Sequence, residues 1–179
     1  MRSKEVLSNV KYDPSRLVIR AAEAADLDVI SQLPADAREA DWVFPGAAHP
    51  VSPEWLRTVV AGSAHAEVVE YRGAVVAFGV LHSLEPGGAG FVSHLVVRPD
   101  LRGRGIGSHL LDHLMGRAFR DARCREMHVQ VATEDVPALL MCYEKGFMPY
   151  GMDRHEDARG RAGVLMHLRL GKREFDEGD

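Results

Sequence analysis

The hydrophobic pattern of the chain predicts short strands interleaved with amphipathic helices. Apolar runs typical of strands lie at residues 17–19, 68–71, 75–80, 91–97, 127–131 and 163–170. Helical spacing of apolar residues predicts helices over residues 24–33, from Ser52 and Pro53 onward, over 105–120 and over 136–145. Residues 41–50 and 150–162 lack either pattern and are predicted to be loops. This order indicates an α/β (α+β) protein with a central sheet.

Length and composition fit one globular domain. The chain has 179 residues, of which 46% are hydrophobic and 27% charged, as is usual for globular proteins. A chain of this length can bury a core without disulfides. We expect a loose leader over residues 1–16, a single domain over 17–170 and a polar tail over 171–179.

Charge and cysteine usage narrow the function classes. The formal net charge is −4, whereas nucleic-acid binders usually carry a basic face, so no nucleic-acid partner is expected. The first residues lack the apolar core of a signal peptide, and no apolar run is long enough to span a bilayer. Cys124 and Cys142 form neither a disulfide framework nor a metal-ligand spacing. These observations predict a cytoplasmic protein with no membrane partner.

A glycine-rich turn joins the strand at 91–97 to the long helix that follows it. Gly103, Gly105 and Gly107 stand at alternate positions there, and without Cβ atoms they let a bulky anion approach the backbone. The first turn of a helix has unpaired N–H groups and a positive dipole end, which together favour phosphate binding. The turn alone would also fit a simple strand–helix junction, but the flanking Arg102 and Arg104 favour an anion site.

The pattern Arg102-x-x-Gly105-x-Gly107 resembles the pyrophosphate motif of the GNAT superfamily of N-acetyltransferases. Residues 95–99 are similar to the family's fourth strand and 19–27 to its first strand and helix. Residues 143–147 are similar to the end of its fourth helix and the start of its sixth strand. The resemblance implies a GNAT-type acyl-CoA N-acyltransferase fold. That fold has a central mixed, mostly antiparallel sheet of about six or seven strands, splayed between strands 4 and 5 and flanked by about four helices.

The resemblance also implies acetyl-CoA as the acyl donor and a set of residues that bind it. The main chain of Leu95, Val96 and Val97 would pair with the pantetheine arm, and one N–H of this strand would polarise the thioester carbonyl. The pyrophosphate would be wrapped by the motif itself: Arg102, Gly103, Arg104, Gly105, Ile106, Gly107 and Ser108. No metal is implied.

Tyr143 matches the family's tyrosine that acts as general acid toward the departing CoA sulfur. The sequence departs from the pattern here, since one residue is missing between Tyr143 and the pair Gly146-Phe147. An asparagine that the family commonly carries early in this helix is also absent. An aromatic anchor on a helix is the alternative interpretation of Tyr143.

The general base is less clearly marked. Many relatives carry a glutamate where this chain has Ser93, and the neighbouring His94 titrates near neutral pH. On a regular strand the two residues would face opposite sides. His128 and Gln130 on the next strand are rival candidates, as is deprotonation relayed by water. His109 and His113 lie four apart on the long helix, but no third metal ligand accompanies them.

Together these features predict an N-acetyltransferase in which a primary amine directly attacks acetyl-CoA in a ternary complex. The acceptor stays open between a small molecule and a protein amino group, because fold does not decide it. A non-catalytic acyl-CoA-binding module is the alternative. A dinucleotide-binding enzyme is disfavoured because Ser108 stands where its fingerprint needs glycine. Many members of the family dimerise, so a homodimer is one expectation.

Overall fold

One mixed sheet organises the chain. In the computed structural model, residues 13–82, 84, 86–156 and 160–178 are described, and seven strands among them form this sheet. The strands are β1 (Leu17–Ala21), β2 (His65–Tyr71), β3 (Ala74–His82), β4 (Ala89–Val97), β5 (Glu126–Ala132), β6 (Met148–Glu156) and β7 (Ala162–Gly171). Their order is β1-β2-β3-β4-β5-β7-β6, and only the β4–β5 pair is parallel. The predicted mixed, mostly antiparallel sheet is confirmed.

Helices pack on both faces of the sheet. They are α1 (Leu27–Ser31), α2 (Ala37–Val43), α3 (Pro53–Ala61), α4 (Ile106–Gly116), α5 (Val136–Glu144) and α6 (Lys172–Gly178), and a π-helical segment (Arg117–Asp121) extends α4. Val68 packs in the core formed with α1, α2 and α3, whereas its neighbour Val69 packs in the core formed with α4 and α5. Alternate side chains of a strand point to opposite faces, so the two sets of helices lie on opposite sides. No helix in the described ranges is long and apolar enough to cross a membrane.

The predicted loop at 41–50 is wrong at its start, because α2 reaches Val43. The Asp36 carboxylate accepts hydrogen bonds from the amides of Arg38 and Glu39 at 2.9 Å each, and so caps this helix. Ala40 and Val43 bury its apolar side. The helix is only seven residues long, so its apolar residues are too few to show the helical spacing that would distinguish it from a loop in the sequence.

The predicted loop at 150–162 is also wrong, since β6 occupies Met148–Glu156. This strand forms the edge of the sheet and pairs with β7 alone. Most of its side chains are exposed, so the alternation that identifies a half-buried strand is missing from its sequence.

The ends of the chain differ in how far the structure describes them. Most of the predicted leader, residues 1–12, lies outside the described residues, and Pro14–Arg16 forms a short 3-10 turn. The predicted polar tail is instead the helix α6. Phe175 of this helix is buried and stacks on Phe119, with ring centroids 4.7 Å apart. A single aromatic residue in a charged segment therefore ties the helix to the core.

This packing predicts that Phe175→Ala lowers the free energy of unfolding by about 3 kcal/mol, because it removes a buried aromatic ring and leaves a cavity beside Phe119. Urea denaturation followed by circular dichroism measures the change. The exposed neighbour Arg173 provides the control, since Arg173→Ala should stay within about 0.5 kcal/mol of the parent. An equally small loss for Phe175→Ala would show that α6 adds nothing to the core.

Candidate active site

The two parallel strands at the centre of the sheet separate along their length. β4 and β5 pair from Ala89 with Glu126 as far as Val92 with Val129. Beyond that pair, β4 continues to Val97 and β5 to Ala132 without pairing to each other. The predicted splay between strands 4 and 5 is thereby confirmed, and it leaves main-chain groups of β4 without a strand partner on that side.

A bulge in β4 lies directly beside this separation. β3 pairs with β4 at Phe78 with Val96 and at Val80 with Ser93, so two residues, His94 and Leu95, lie opposite one residue of β3. His94 has a φ of +54°, a left-handed conformation that non-glycine residues seldom adopt. Such an extra residue bends a strand and re-aims its side chains.

The opening between the strands, which we call the β4–β5 slot, is bounded by both sheet and helices. Its walls include Leu95 of β4 and Val131 of β5. The side chains that α4, α5 and the turn before α5 contribute are Leu111, Asp135, Ala138, Met141 and Cys142. The slot is therefore a largely apolar channel open between two strands.

A second space, the inner cavity, has a volume of about 240 Å³ and lies next to the slot. The residues that line it are Asp41, Trp42, Val43, Pro45, His82, Phe91, Val92, Ser93, His94, Gln130, His155 and Leu165. Six of these also line the β4–β5 slot: Trp42, Val43, Val92, Ser93, His94 and Gln130. The two spaces thus meet where the strands separate.

His94 is held at this junction as a neutral imidazole. Its Nδ1 lies 2.6 Å from the carbonyl oxygen of Val43. A carbonyl only accepts, so Nδ1 carries the proton and Nε2 keeps a lone pair. The rings of Phe44 and Trp55 pack against it, with centroids 5.7 and 5.9 Å away. Burial lowers the pKa of His94, which keeps the ring uncharged at neutral pH.

Ser93 and His94 line the same cavity, so the expectation that they face opposite sides is wrong. The bulge breaks the strand's alternation between them. Ser93 Oγ lies 2.7 Å from Nε2 of His82, whose ring centroid is 5.7 Å from that of His94. Burial lowers the pKa of His82 as well. The sequence does not mark His82 as a site residue, because it belongs to no motif and reaches the cavity from the end of β3.

The rival base candidates occupy different places. Gln130 lines both spaces. His128 lines neither, and its two ring nitrogens lie 2.7 Å from the Tyr150 hydroxyl and 2.9 Å from a Glu126 carboxylate oxygen. His113, considered as half of a metal pair, has its Nε2 2.6 Å from the buried Glu67 carboxylate.

The glycine-rich turn leads into α4 with an open side. Gly103 and Gly105 have φ angles of +69° and +80°, and a Cβ on either would meet no heavy atom within 4 Å. Gly105 is the N-cap of α4, so the amides of the following residues, Ile106 to Ser108, form its first turn. A Cβ on Gly107, by contrast, would contact Val97 and Met141 at 3.4 Å. The turn therefore combines close packing on the slot side with free space above it.

Arg102 ties this turn to two other elements. Its Nε donates to the carbonyl of Val97 at 2.8 Å, and its Nη2 donates to Glu39 of α2 at 2.6 Å. Arg104 Nη2 lies 3.5 Å from the carbonyl oxygen of Asp100. Glu39 was missed in the sequence because it precedes its partner by 63 residues. The ion pair with Glu39 thus offsets part of the positive charge that Arg102 would present to a bound anion.

The cofactor residues predicted on β4 lie along the slot, but on different sides. Leu95 contributes to its wall. Val96 is buried in the core beneath α1, α2 and α3, and Val97 packs with the core around α4. Their shared feature is the main chain, which borders the unpaired stretch of β4.

Tyr143 is the predicted residue that the structure does not bring to the junction. Its hydroxyl donates to the sulfur of Met166 at 3.3 Å, and 41% of the residue is exposed. The neighbouring Cys142 occupies the slot wall instead. Burial raises the pKa of this thiol to about 12, so it stays protonated. The general-acid role that the resemblance implies for Tyr143 stays a prediction, and the contact with Met166 favours the alternative interpretation of an aromatic anchor.

An open parallel strand pair beside a glycine-rich helix N-terminus, with a second cavity at their junction, agrees with the site that the resemblance to the GNAT superfamily implies. The profile of the Acetyltransferase (GNAT) family matches residues 31–147. The chain therefore belongs to the GNAT family and is an acetyl-CoA-dependent N-acetyltransferase.

Solved structures share the fold at low sequence identity. The spermidine N-acetyltransferase from Vibrio cholerae, in complex with CoA and spermine, is 19% identical with a TM-score of 0.74, covering 90% of this chain and 98% of that one. The ribosomal-protein-alanine N-acetyltransferase from Brucella melitensis is 23% identical with a TM-score of 0.67, covering 86% and 99%. No curated protein matches the sequence significantly.

The position of Tyr143 predicts that Tyr143→Phe changes kcat by less than about twofold, because the lost hydroxyl contacts Met166 rather than the slot. Steady-state release of CoA, followed with a thiol reagent at saturating substrates, measures the change. A general acid would instead contribute about a hundredfold or more. A loss of that size, with acetyl-CoA affinity preserved, would establish Tyr143 as the acid.

Proposed function

We propose that the enzyme transfers the acetyl group of acetyl-CoA to a primary amine of a small molecule, by direct attack with both substrates bound at once. One observation carries this proposal: the β4–β5 slot and the inner cavity meet at His94, which lines both. A donor in the slot and an acceptor in the cavity would therefore have their reacting ends at one point. Such an arrangement supplies proximity without a covalent enzyme intermediate.

The residues around the slot suit an acyl-CoA. The amides from Gly103 to Ser108 would hold the pyrophosphate, since the space over Gly103 and Gly105 is free of protein atoms. The main chain of Leu95, Val96 and Val97 would pair with the pantetheine arm, because its outer side lacks a strand partner. Acetyl-CoA supplies the acetyl group as a thioester, which primary amines attack.

His94 is the base that the geometry supports best. An amine attacks only when it is neutral, so a proton must leave the acceptor. The Nε2 lone pair of His94 is fixed by the Nδ1 hydrogen bond to Val43, and the ring lies at the junction. His82 and Ser93 are hydrogen-bonded to each other on the same cavity wall and provide a route for that proton toward solvent.

A small-molecule acceptor fits the dimensions of the site. The inner cavity holds about 240 Å³, below the range of about 300–1,000 Å³ usual for drug-sized ligands. The two structural neighbours described above act on a polyamine and on a ribosomal protein, according to their names, so fold alone favours neither class. The restricted volume favours a short amine over a folded protein segment.

The proposed pyrophosphate site predicts that Gly105→Ala raises the Kd for acetyl-CoA about tenfold or more, because the new methyl group would enter the free space and strain a φ of +80°. Calorimetric titration with acetyl-CoA measures the affinity. The matched control is Gly116→Ala at the other end of α4, where a Cβ would find Arg120 Nη1 at 3.9 Å and is accommodated. Equal affinity for both variants would place the pyrophosphate elsewhere, and no binding by the parent protein would overturn the proposed function.

The proposed base predicts an acid limb in the pH profile of kcat. Protonated His94 cannot accept a proton, so activity rises with pH through its pKa. Because burial lowers the pKa of His94, the midpoint should lie below its usual value of about 6.5. His94→Gln should lower kcat about a hundredfold or more and abolish this limb. A limb that persists in the variant would transfer the role to His82.

A further inference from the structure

We infer that the acceptor is a short diamine whose second, protonated amino group binds the Asp41 carboxylate. This inference rests on the proposed acetyl transfer and names its substrate class. Its first support is the set of charged residues that line the inner cavity. Among the described residues that line it, Asp41 is the one acidic residue, and none is a lysine or an arginine. On this wall the carboxylate is the charged group that a ligand would meet, and Arg161 approaches it at 3.4 Å.

The Asp41 carboxylate is deeply buried. Only 3% of its side chain is exposed. A buried carboxylate carries a large desolvation cost unless a cation or several hydrogen-bond donors compensate it. Nη2 of Arg161 lies 3.4 Å away, a long contact for a charge-assisted hydrogen bond, and the Arg161 side chain is 46% exposed. A cation that approaches from the cavity, which Asp41 lines, would complete the compensation that this single long contact gives.

The amino group that is acetylated cannot be this cation. It must be neutral to attack, and it must lie near His94, where burial keeps the imidazole neutral as well. A positive charge beside Asp41 must therefore come from a second group on the same molecule. A carboxylate at that end of the acceptor would instead meet a like charge in a poorly hydrated place.

The surfaces between the two ends are apolar. Trp42, Phe91 and Leu165 line the cavity and would cover methylene groups. Aromatic faces also attract cations, as the guanidinium of Arg38 does here, 5.1 Å from the centroid of the Trp42 ring. The limited volume keeps the linker short. An ammonium group, a few methylene groups and a neutral amine satisfy the carboxylate, the apolar walls and His94 together.

Three amines with four carbon atoms each test this inference: 1,4-diaminobutane, 1-aminobutane and 4-aminobutanoate. They differ only at the far end, which is cationic, apolar or anionic. Release of CoA at fixed, saturating acetyl-CoA gives kcat/KM for each. We expect 1,4-diaminobutane to exceed 1-aminobutane about tenfold or more, mainly through KM, and to exceed 4-aminobutanoate by a larger factor. A series from 1,3-diaminopropane to 1,5-diaminopentane then measures the preferred spacing.

The variant Asp41→Asn keeps the size of the side chain and removes its charge. It should lower the ratio of kcat/KM between 1,4-diaminobutane and 1-aminobutane about tenfold, toward one. Asp28→Asn, an exposed position on α1, is the matched control and should leave that ratio unchanged. Calorimetric binding of acetyl-CoA by each variant shows that it is folded.

Several outcomes would overturn the inference. One is equal use of 1,4-diaminobutane and 1-aminobutane. Another is a preference for 4-aminobutanoate that disappears in Arg161→Gln, which would assign recognition to the guanidinium and the acceptor to the amino acids. A third is no CoA release with any diamine although acetyl-CoA binds. Because acetyl-CoA binding is measured separately, each of these leaves the donor site standing, whereas absent binding would remove the proposed function itself.

Discussion

The end of β4–β5 pairing at Val92 and Val129 is the constraint on which the rest of the site depends. Two parallel strands that stayed paired would fill the space with their own hydrogen bonds and leave no slot. The bulge at His94 and Leu95 accompanies the separation and turns both Ser93 and His94 toward the inner cavity. Donor channel, acceptor cavity and candidate base thus arise from one interruption of a regular sheet.

The short helix α2 holds the parts of the site together. Glu39 bonds Arg102 beside the glycine-rich turn, and the Val43 carbonyl fixes the tautomer of His94. Asp41, between them, lines the inner cavity. One helix of seven residues therefore contacts the proposed donor site, the candidate base and the proposed acceptor site. A shift of α2 would therefore displace groups at all three places.

Different residues of the inner cavity suit proton transfer and the binding of a cation. Burial lowers the pKa of His82 and of His94, so this wall of the cavity is neutral and able to take a proton. Asp41, the proposed partner of a cationic acceptor, lines the same cavity. A protonated histidine on this wall would repel such an acceptor. The Cys142 thiol, with a pKa raised to about 12, stays neutral and serves as an apolar wall.

The sequence by itself determined the features that depend on neighbouring residues. Strand runs, helix starts and the glycine-rich turn rest on backbone preferences and on the geometry of a helix N-terminus, so the fold and the donor motif were predictable. The tertiary structure decided what depends on distant partners. The packing of α5 with Cys142 in the slot wall, the bulge that brings Ser93 and His94 to one cavity, and the approach of Asp41, Glu39 and His82 involve residues far apart in the chain. The course of the edge strand β6 beyond residue 150 and the helix α6 were not predicted for the same reason: pairing with β7 and one ring stacked on Phe119 stabilise them, and neither leaves a periodic pattern in the local sequence.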